Sequence, residues 1–118
     1  MIAPLRGQVF HVDLGHGRKP WLIVSNNARN RNLESVLAAR ITTTRKHPAI
    51  PTVVPLTAAD PLAGFVLCDD IVQPYRDELA TPAGALSPMT ITAVSEGLRS
   101  ALGLTGRISS RRQNRYAV

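Results

Sequence analysis

The chain has 118 residues and a formal net charge of +6, which fits one folded domain with a basic surface. A domain of this length buries a core without disulfide or metal staples, and a hydrophobic content of 44% excludes bulk disorder. The basic balance makes nucleic acid or an acidic protein the first class of partner to consider.

The positive charge is concentrated at the C-terminus. Residues 105–118 contain four arginines and no acidic residue, so this segment supplies +4 of the +6. Residues 1–104 contain the other ten basic residues and all eight acidic ones, which leaves +2. We therefore predict a domain over 1–104 followed by a basic tail over 105–118.

Cys68 is the single cysteine, which excludes an internal disulfide and a cysteine-based zinc site and fits a reducing cytosol. Met1 to Gly7 lacks an apolar core of signal-peptide length, and no apolar run is long enough to cross a bilayer. The sequence also lacks a metal-binding motif, a glycine-rich phosphate loop and a nucleophile elbow. We expect a cytoplasmic protein with no cofactor, no metal and no membrane partner.

The first two thirds of the chain predict short strands separated by turns, without helices between them. The predicted strands are Gln8–Leu14, Pro20–Val24, Ser35–Thr42, Thr52–Leu56, Gly64–Cys68 and a short Ile71–Gln73. Pro55 predicts an edge strand or a strand end. This pattern is typical of a small antiparallel barrel.

The last third predicts one helix from Pro88 to Leu102. Ser87 is a good N-cap, Pro88 suits the first helical position and Gly103 is a plausible C-cap. Apolar residues recur at helical spacing and predict a stripe that packs on the barrel: Ile91, Val94, Leu98, Ala101 and Leu102.

Several segments occur in the order found in one known family. They are Arg6–Phe10, Val12–Leu14, Lys19–Asn26, Asn30–Arg31, Ile41–Thr42, Cys68–Ile71, Leu86–Pro88 and Leu102–Leu104. The first three resemble the family's R-G-[DE]-[IV]-[WY] strand, its D-L pair and its R-P-V-L-V-[VI]-[ST]-N strand. Over about residues 5 to 104, the ordered set is similar to the MazF/PemK/Kid toxins.

The resemblance implies a mainly β fold, an SH3-like antiparallel barrel with a C-terminal helix, that forms a homodimer. It implies the toxin of a type II toxin–antitoxin system. The expected activity is metal-independent, sequence-specific cleavage of single-stranded RNA, leaving a 2′,3′-cyclic phosphate and a 5′-hydroxyl. A cognate antitoxin is expected to cover the RNA groove.

The resemblance also implies the candidate site residues. Such cleavage needs a base, an acid and positive charge at the phosphate. The family's Arg before the Pro and its Thr at the third strand's end match Lys19 and Thr42. Asp69 matches the family's acid, and His16 corresponds to a loop histidine of some members. The basic loop residues Arg29, Arg31, Arg45 and Lys46 are candidate RNA-binding groups.

The sequence departs from the family pattern at two cations. Lys19 stands where the family has Arg, with Arg18 one residue earlier, and a lysine offers a point charge where arginine offers a planar fork. Neighbouring strand residues face opposite sides, so one of the two faces the groove, and the fixed position of Pro20 favours Lys19. Some members also carry an Arg where this chain has Leu67.

Two other functions fit the same fold. A CcdB-like protein binds DNA gyrase without cleaving RNA, but the retained Thr42 and the basic loops argue against it. A catalytically inactive RNA- or DNA-binding relative is favoured by the absence of an arginine at position 19. It predicts salt-dependent binding without turnover.

Overall fold

The computed structural model describes residues 2–44 and 49–104. In chain order the elements are β1 (Gln8–Asp13), β2 (Arg18–Ile23), α1 (Asn27–Asn32), β3 (Ala38–Thr42), β4 (Val53–Pro55), β5 (Phe65–Val72), a 3₁₀ turn (Arg76–Glu78), β6 (Thr81–Ala85) and α2 (Pro88–Ala101). The prediction of a mainly β fold with a C-terminal helix is confirmed.

The strands form one antiparallel sheet in the order β4-β5-β3-β2-β1-β6. Within the described residues the edge strands β4 and β6 do not pair with each other, so hydrogen bonds do not close the sheet. The expected barrel is therefore an open, barrel-like sheet. Pro55 ends the edge strand β4, as its missing N–H predicted.

The hairpin of β1 and β2 is built by the side chain of Asp13. Its Oδ1 accepts hydrogen bonds from the N–H groups of Gly15 and Gly17 at 2.9 and 3.2 Å. Both glycines have positive φ, +101° and +89°, which other residues rarely adopt. The Gly-His-Gly turn therefore closes tightly and leaves His16 exposed at its tip.

Each face of the sheet carries its own hydrophobic cluster, because side chains alternate between faces. The cluster beneath α2 includes Val9, Leu22, Ala39, Ile41, Val54, Val66, Cys68, Leu86 and Val94. The cluster on the opposite face includes Val12, Trp21, Ile23, Val36 and Ala38. Trp21 and Cys68 are thus core residues.

The C-terminal helix α2 has the predicted caps. The Ser87 side chain accepts from the N–H of Thr90, and Pro88 is the first helical residue. At the other end Gly103 donates to Ser100 O and Leu104 donates to Arg99 O, a Schellman motif.

The apolar stripe of α2 packs on the sheet through Ile91, Val94, Leu98 and Ala101. The sequence prediction was wrong for Leu102, which is 60% exposed. Gly97, which the stripe did not include, is buried instead.

The strand predictions after Gly64 were wrong in two places. Gly64–Cys68 and Ile71–Gln73 are parts of one strand, β5, which contains a bulge. The remaining strand is Thr81–Ala85, whose Pro82 and Gly84 are unfavourable in a central strand but tolerated at an edge. The short helix α1 was also missed; the Asn26 side chain caps it by accepting from Arg29 N.

None of the helices within residues 2–44 and 49–104 is long and apolar enough to cross a membrane.

Candidate active site

Two cavities open where β2, β3 and β5 meet the hairpin turn. The hairpin cavity has a volume of about 450 Å³ and is lined by Leu14, His16, Gly17, Lys19, Trp21, Arg40, Asp70 and Val72. The threonine cavity has a volume of about 430 Å³ and is lined by Arg18, Lys19, Pro20, Arg40, Ile41, Thr42, Thr43, Thr44, Leu62 and Ala63. Lys19 and Arg40 line both, so the two cavities are neighbours.

The structure brings Lys19 and Thr42 together. In the β2–β3 ladder Trp21 pairs with Arg40. Lys19 and Thr42 each lie two residues beyond that pair, so side-chain alternation puts both on the face of the sheet that carries Trp21 and Arg40. Both residues line the threonine cavity. An ammonium and a hydroxyl group therefore face one opening, which suits an anionic oxygen.

The Thr42 hydroxyl has a defined orientation at the end of β3. Its Oγ1 accepts a hydrogen bond from the N–H of Thr44 at 3.2 Å, which leaves the O–H proton available to donate. Gly64 packs against the backbone here, and a Cβ at that position would collide with the carbonyl oxygen of Thr42. The β4–β5 connection thus fixes the end of β3 and the threonine within it.

Arg18 and His16 lie on opposite sides of Lys19. Arg18 is exposed and lines only the threonine cavity. Lys19 is half-buried and lines both cavities. His16 is exposed on the hairpin turn and lines the hairpin cavity. This geometry places Lys19 centrally between the two other candidates.

A bulge in β5 determines which aspartate faces the site. Ala39 pairs with Ile71, but the next residue, Arg40, pairs with Leu67, so residues 68–70 have no Cα partner on β3. Bulges re-aim side chains, and here Asp70 lines the hairpin cavity. Asp69, the acid singled out from the sequence, is exposed and lines neither cavity.

Arg40 is the cation that sequence reasoning missed. Its guanidinium lies 3.6 Å from Asp70, measured from Nη1 to Oδ2. The residue stands in an Ala-Ala-Arg-Ile-Thr strand without any local signal of function. Its position relative to Trp21, Leu67 and Asp70 depends on strand register and on the bulge, which no local pattern encodes.

The remaining basic candidates lie elsewhere. Arg29 donates to Ser35 O at 2.8 Å, so its guanidinium braces the chain after α1. Arg31 is exposed on α1. Neither lines the two cavities. Arg45, Lys46 and the tail over 105–118 lie outside the described residues.

The described lining residues of the two cavities carry a net positive charge. Arg18, Lys19 and Arg40 contribute three positive charges, and Asp70 is the one acidic side chain among the described lining residues. No group of three His, Cys, Asp or Glu side chains that could hold a metal ion occurs in residues 2–44 and 49–104. The site is therefore suited to an anion such as a phosphodiester.

Comparison with known proteins identifies the family to which this chain belongs. Residues 5–102 match the family described as the PemK-like, MazF-like toxin of type II toxin–antitoxin systems. The curated relatives Endoribonuclease MazF4 of Mycobacterium tuberculosis and Endoribonuclease MazF1 of Mycobacterium bovis are each 52% identical over 104 residues. These alignments cover 88% of this chain and 97% of each relative. The chain belongs to the PemK-like, MazF-like toxin family.

Solved structures give the same result. An endoribonuclease in complex with its cognate antitoxin from Mycobacterial species superimposes with a TM-score of 0.83 at 51% identity, covering 87% of this chain and 98% of that one. MazF from Deinococcus radiodurans superimposes with a TM-score of 0.73 at 26% identity, covering 87% and 99%. The resemblance drawn from the ordered segments is thus confirmed.

Proposed function

We propose that this chain is a toxin endoribonuclease that cuts single-stranded RNA at a short sequence, without a metal. Its relatives of 52% identity are named endoribonucleases, so the chain is an enzyme of that class. The observation that carries the finer proposal is that Lys19 and Thr42 line one cavity.

The proposed reaction is a transesterification. The RNA 2′-oxygen loses its proton to a base and bonds to the adjacent phosphorus. The bond from phosphorus to the 5′-oxygen then breaks, and an acid protonates that leaving oxygen. The products are a 2′,3′-cyclic phosphate and a 5′-hydroxyl. The nucleophile belongs to the substrate, so the protein needs only to transfer protons and stabilise negative charge.

Thr42 and Lys19 supply the charge stabilisation in this proposal. The Thr42 hydroxyl, whose oxygen already accepts from Thr44 N, donates its proton to a non-bridging phosphate oxygen. Lys19 places an ammonium beside the same oxygen, where charge increases in the transition state. Arg18, exposed at the mouth of the threonine cavity, contacts the neighbouring RNA backbone.

His16 and Asp69 are the proposed groups for proton transfer. His16 lines the hairpin cavity next to Lys19 and reaches substrate through the exposed turn. Asp69 lies outside both cavities, so its role requires the substrate to extend past the β5 bulge. Of the two, the geometry favours His16.

The proposed partners are a second copy of the chain and a cognate antitoxin. A mycobacterial endoribonuclease was solved in complex with its cognate antitoxin and covers 87% of this chain. We extend that assembly to this protein, with the antitoxin competing for the basic cavities. Arg29, Arg31, Arg45 and Lys46 remain candidate contacts to the RNA backbone. A cytoplasmic location follows for a protein that acts on cellular RNA.

The test is incubation of purified protein with a long single-stranded RNA in the presence of EDTA. We expect discrete cuts whose 5′ ends are phosphorylated directly by polynucleotide kinase and whose 3′ ends carry a cyclic phosphate. Lys19→Ala and Thr42→Val should slow this cleavage about 100-fold, whereas Arg99→Ala, which removes an exposed arginine of α2, should not.

Two results would contradict the proposal. Intact RNA together with inhibition of DNA gyrase would indicate a CcdB-like poison. Salt-dependent RNA binding without turnover would indicate an inactive relative. Sequencing the cut ends across a transcriptome would give the recognised sequence and show whether messenger, ribosomal or transfer RNA is the main target.

A further inference from the structure

Arg40 occupies the boundary between the hairpin cavity and the threonine cavity. It lines both, as Lys19 does. Its Cα partners are Trp21 on β2 and Leu67 on β5, so it stands in the centre of the sheet between two paired strands. Side chains alternate along β3, so Arg40 and Thr42 share one face. A ligand bound beside Lys19 and Thr42 is therefore also beside Arg40.

The guanidinium of Arg40 is held loosely. Its one ion pair in the described chain is with Asp70, at 3.6 Å from Nη1 to Oδ2, which is too long for a hydrogen bond. Within the described residues its Nε is buried and has no hydrogen-bond partner. Arginine has five N–H donors, so this side chain retains hydrogen-bonding capacity for a ligand.

Asp70 orients the guanidinium of Arg40. The β5 bulge turns Asp70 into the hairpin cavity, where its carboxylate attracts the guanidinium. The two side chains are 37% and 40% exposed, so neither is locked in the core. An anion that enters the site therefore finds a guanidinium that is oriented by Asp70 and still has N–H groups free to donate hydrogen bonds.

We propose that Arg40 is a second phosphate-binding cation of the cleavage site and that Asp70 is its positioning residue. This rests on the function proposed above. Lys19 supplies a point charge at the site, whereas a guanidinium is a planar fork that can bind two phosphate oxygens. Arg40, whose Cα pairs with that of Leu67, brings such a fork to the same two cavities from β3.

The test compares Arg40→Ala, Arg40→Lys and Asp70→Asn with the wild-type chain on an RNA carrying one mapped cut, in EDTA. Arg40→Ala should lower kcat about 100-fold, since removal of one donor to the transition-state oxyanion typically has an effect of this size. Arg40→Lys should recover about tenfold of that loss. Asp70→Asn should lower kcat by about tenfold with little change in KM, because it misdirects the guanidinium without removing it.

A phosphorothioate substrate separates a phosphate contact from a structural role. One non-bridging oxygen of the cut phosphate is replaced by sulfur, as each separated stereoisomer. One isomer should slow the wild-type enzyme, and that slowing should shrink in Arg40→Ala but persist in Lys19→Arg. Thermal melting of each variant confirms folding.

The matched controls are Arg99→Ala and Glu96→Gln, which remove a similar ion pair of 3.8 Å on α2, outside both cavities. They should leave kcat within about twofold of wild type. If Arg40→Ala cleaves as fast as these controls, or keeps the full phosphorothioate effect, the role of Arg40 is overturned while the proposed function stands. A wild-type chain that leaves RNA intact overturns both.

Discussion

The carboxylate of Asp60 accepts a hydrogen bond from the Thr90 hydroxyl at 2.7 Å, which fastens the β4–β5 connection to the first turn of α2. The other carboxylate oxygen accepts from Ser87 N at 2.8 Å. Asp60 therefore supports the N-terminus of α2 from a distant segment, where a negative charge is also favourable for the helix dipole. The same connection carries Gly64, which packs on Thr42.

This arrangement predicts a stability that depends on acid pH. Partial burial by itself raises the pKa of Asp60, but hydrogen bonds from Ser87, Thr57 and Thr90 outweigh it and lower the pKa from 3.8 to about 2. The stabilisation is fully present above pH 4 and is lost as the pH falls towards 2. Asp60→Asn should lower the free energy of unfolding by about 1–2 kcal/mol at neutral pH.

Urea unfolding of wild type and Asp60→Asn at several pH values checks this prediction. The difference in the free energy of unfolding between the two proteins should become smaller below pH 4. The control is Asp77→Asn, an exposed aspartate beside the 3₁₀ turn, which should change stability by less than about 0.5 kcal/mol. Equal losses in the two variants would contradict the role of Asp60.

Gly97 lies at a close contact between α2 and the sheet. A Cβ at this position would lie 2.7 Å from Cys68 Sγ and 2.8 Å from Pro51 O. Gly97→Ala gains about 1 kcal/mol of helix propensity but forces these atoms apart. We expect a net loss of about 1–3 kcal/mol, measured by thermal or urea unfolding. Ser100→Ala, on the exposed face of α2, should be neutral; a stabilised Gly97→Ala would show that the helix shifts freely.

Cys68 should be inert in the folded protein. Its burial, with a smaller contribution from the negative charge of Asp69, raises the pKa of the thiol to about 11. The thiolate is the reactive form, so alkylation at pH 8 should require unfolding. Mass spectrometry after iodoacetamide treatment should show an unmodified chain in buffer and one added group in urea. Rapid labelling of the folded chain would be incompatible with the described packing.

Thr42→Val is expected to separate chemistry from folding. The substitution preserves shape and removes the hydroxyl, so kcat should fall about 100-fold with little loss of stability. Thr42→Ser retains the hydroxyl and should keep substantial activity. Thr52→Val is a matched control, because Thr52 is similarly buried, at 9% against 7%, and its hydroxyl has no partner within the described chain. Cleavage assays should show no loss for Thr52→Val.

A further prediction is that Lys19 contributes more to catalysis than Arg18. Lys19→Ala should lower kcat about 100-fold, whereas Arg18→Ala should lower it less than tenfold, because Lys19 reaches both cavities and Arg18 only one. Lys19→Arg should retain activity. Initial rates on one RNA give this order, and a larger loss for Arg18→Ala would assign the central role to Arg18.

Helix α2 was predictable because its signals are local. Ser87, Pro88 and Gly103 each act on neighbouring backbone groups, and the apolar stripe repeats within a few residues. Strand β6 was not predictable from such signals, since Thr81–Ala85 contains a proline and a glycine. Its pairing with β1 at the sheet edge overrides local preference.

The candidate site also contains residues that could be predicted from the sequence and residues that could not. Lys19 and Thr42 follow from the ordered segments that resemble the toxin family, and both line the threonine cavity. Arg40 and Asp70 depend on a bulge that shifts β5 against β3 between Ala39 and Arg40. Such a shift involves residues about 30 positions apart, so no sequence window contains it.

The bulge also couples the packing of α2 on the sheet to the position of Asp70 in the hairpin cavity. Cys68 packs beneath α2 at one end of the three-residue bulge, and Asp70 faces the hairpin cavity at the other. A substitution that displaces Cys68, such as Gly97→Ala, therefore perturbs the backbone that aims Asp70 at Arg40. We expect the effects of Gly97→Ala and Asp70→Asn on kcat to be non-additive in a double-mutant cycle. Helix packing and substrate chemistry thus constrain the same short stretch of backbone.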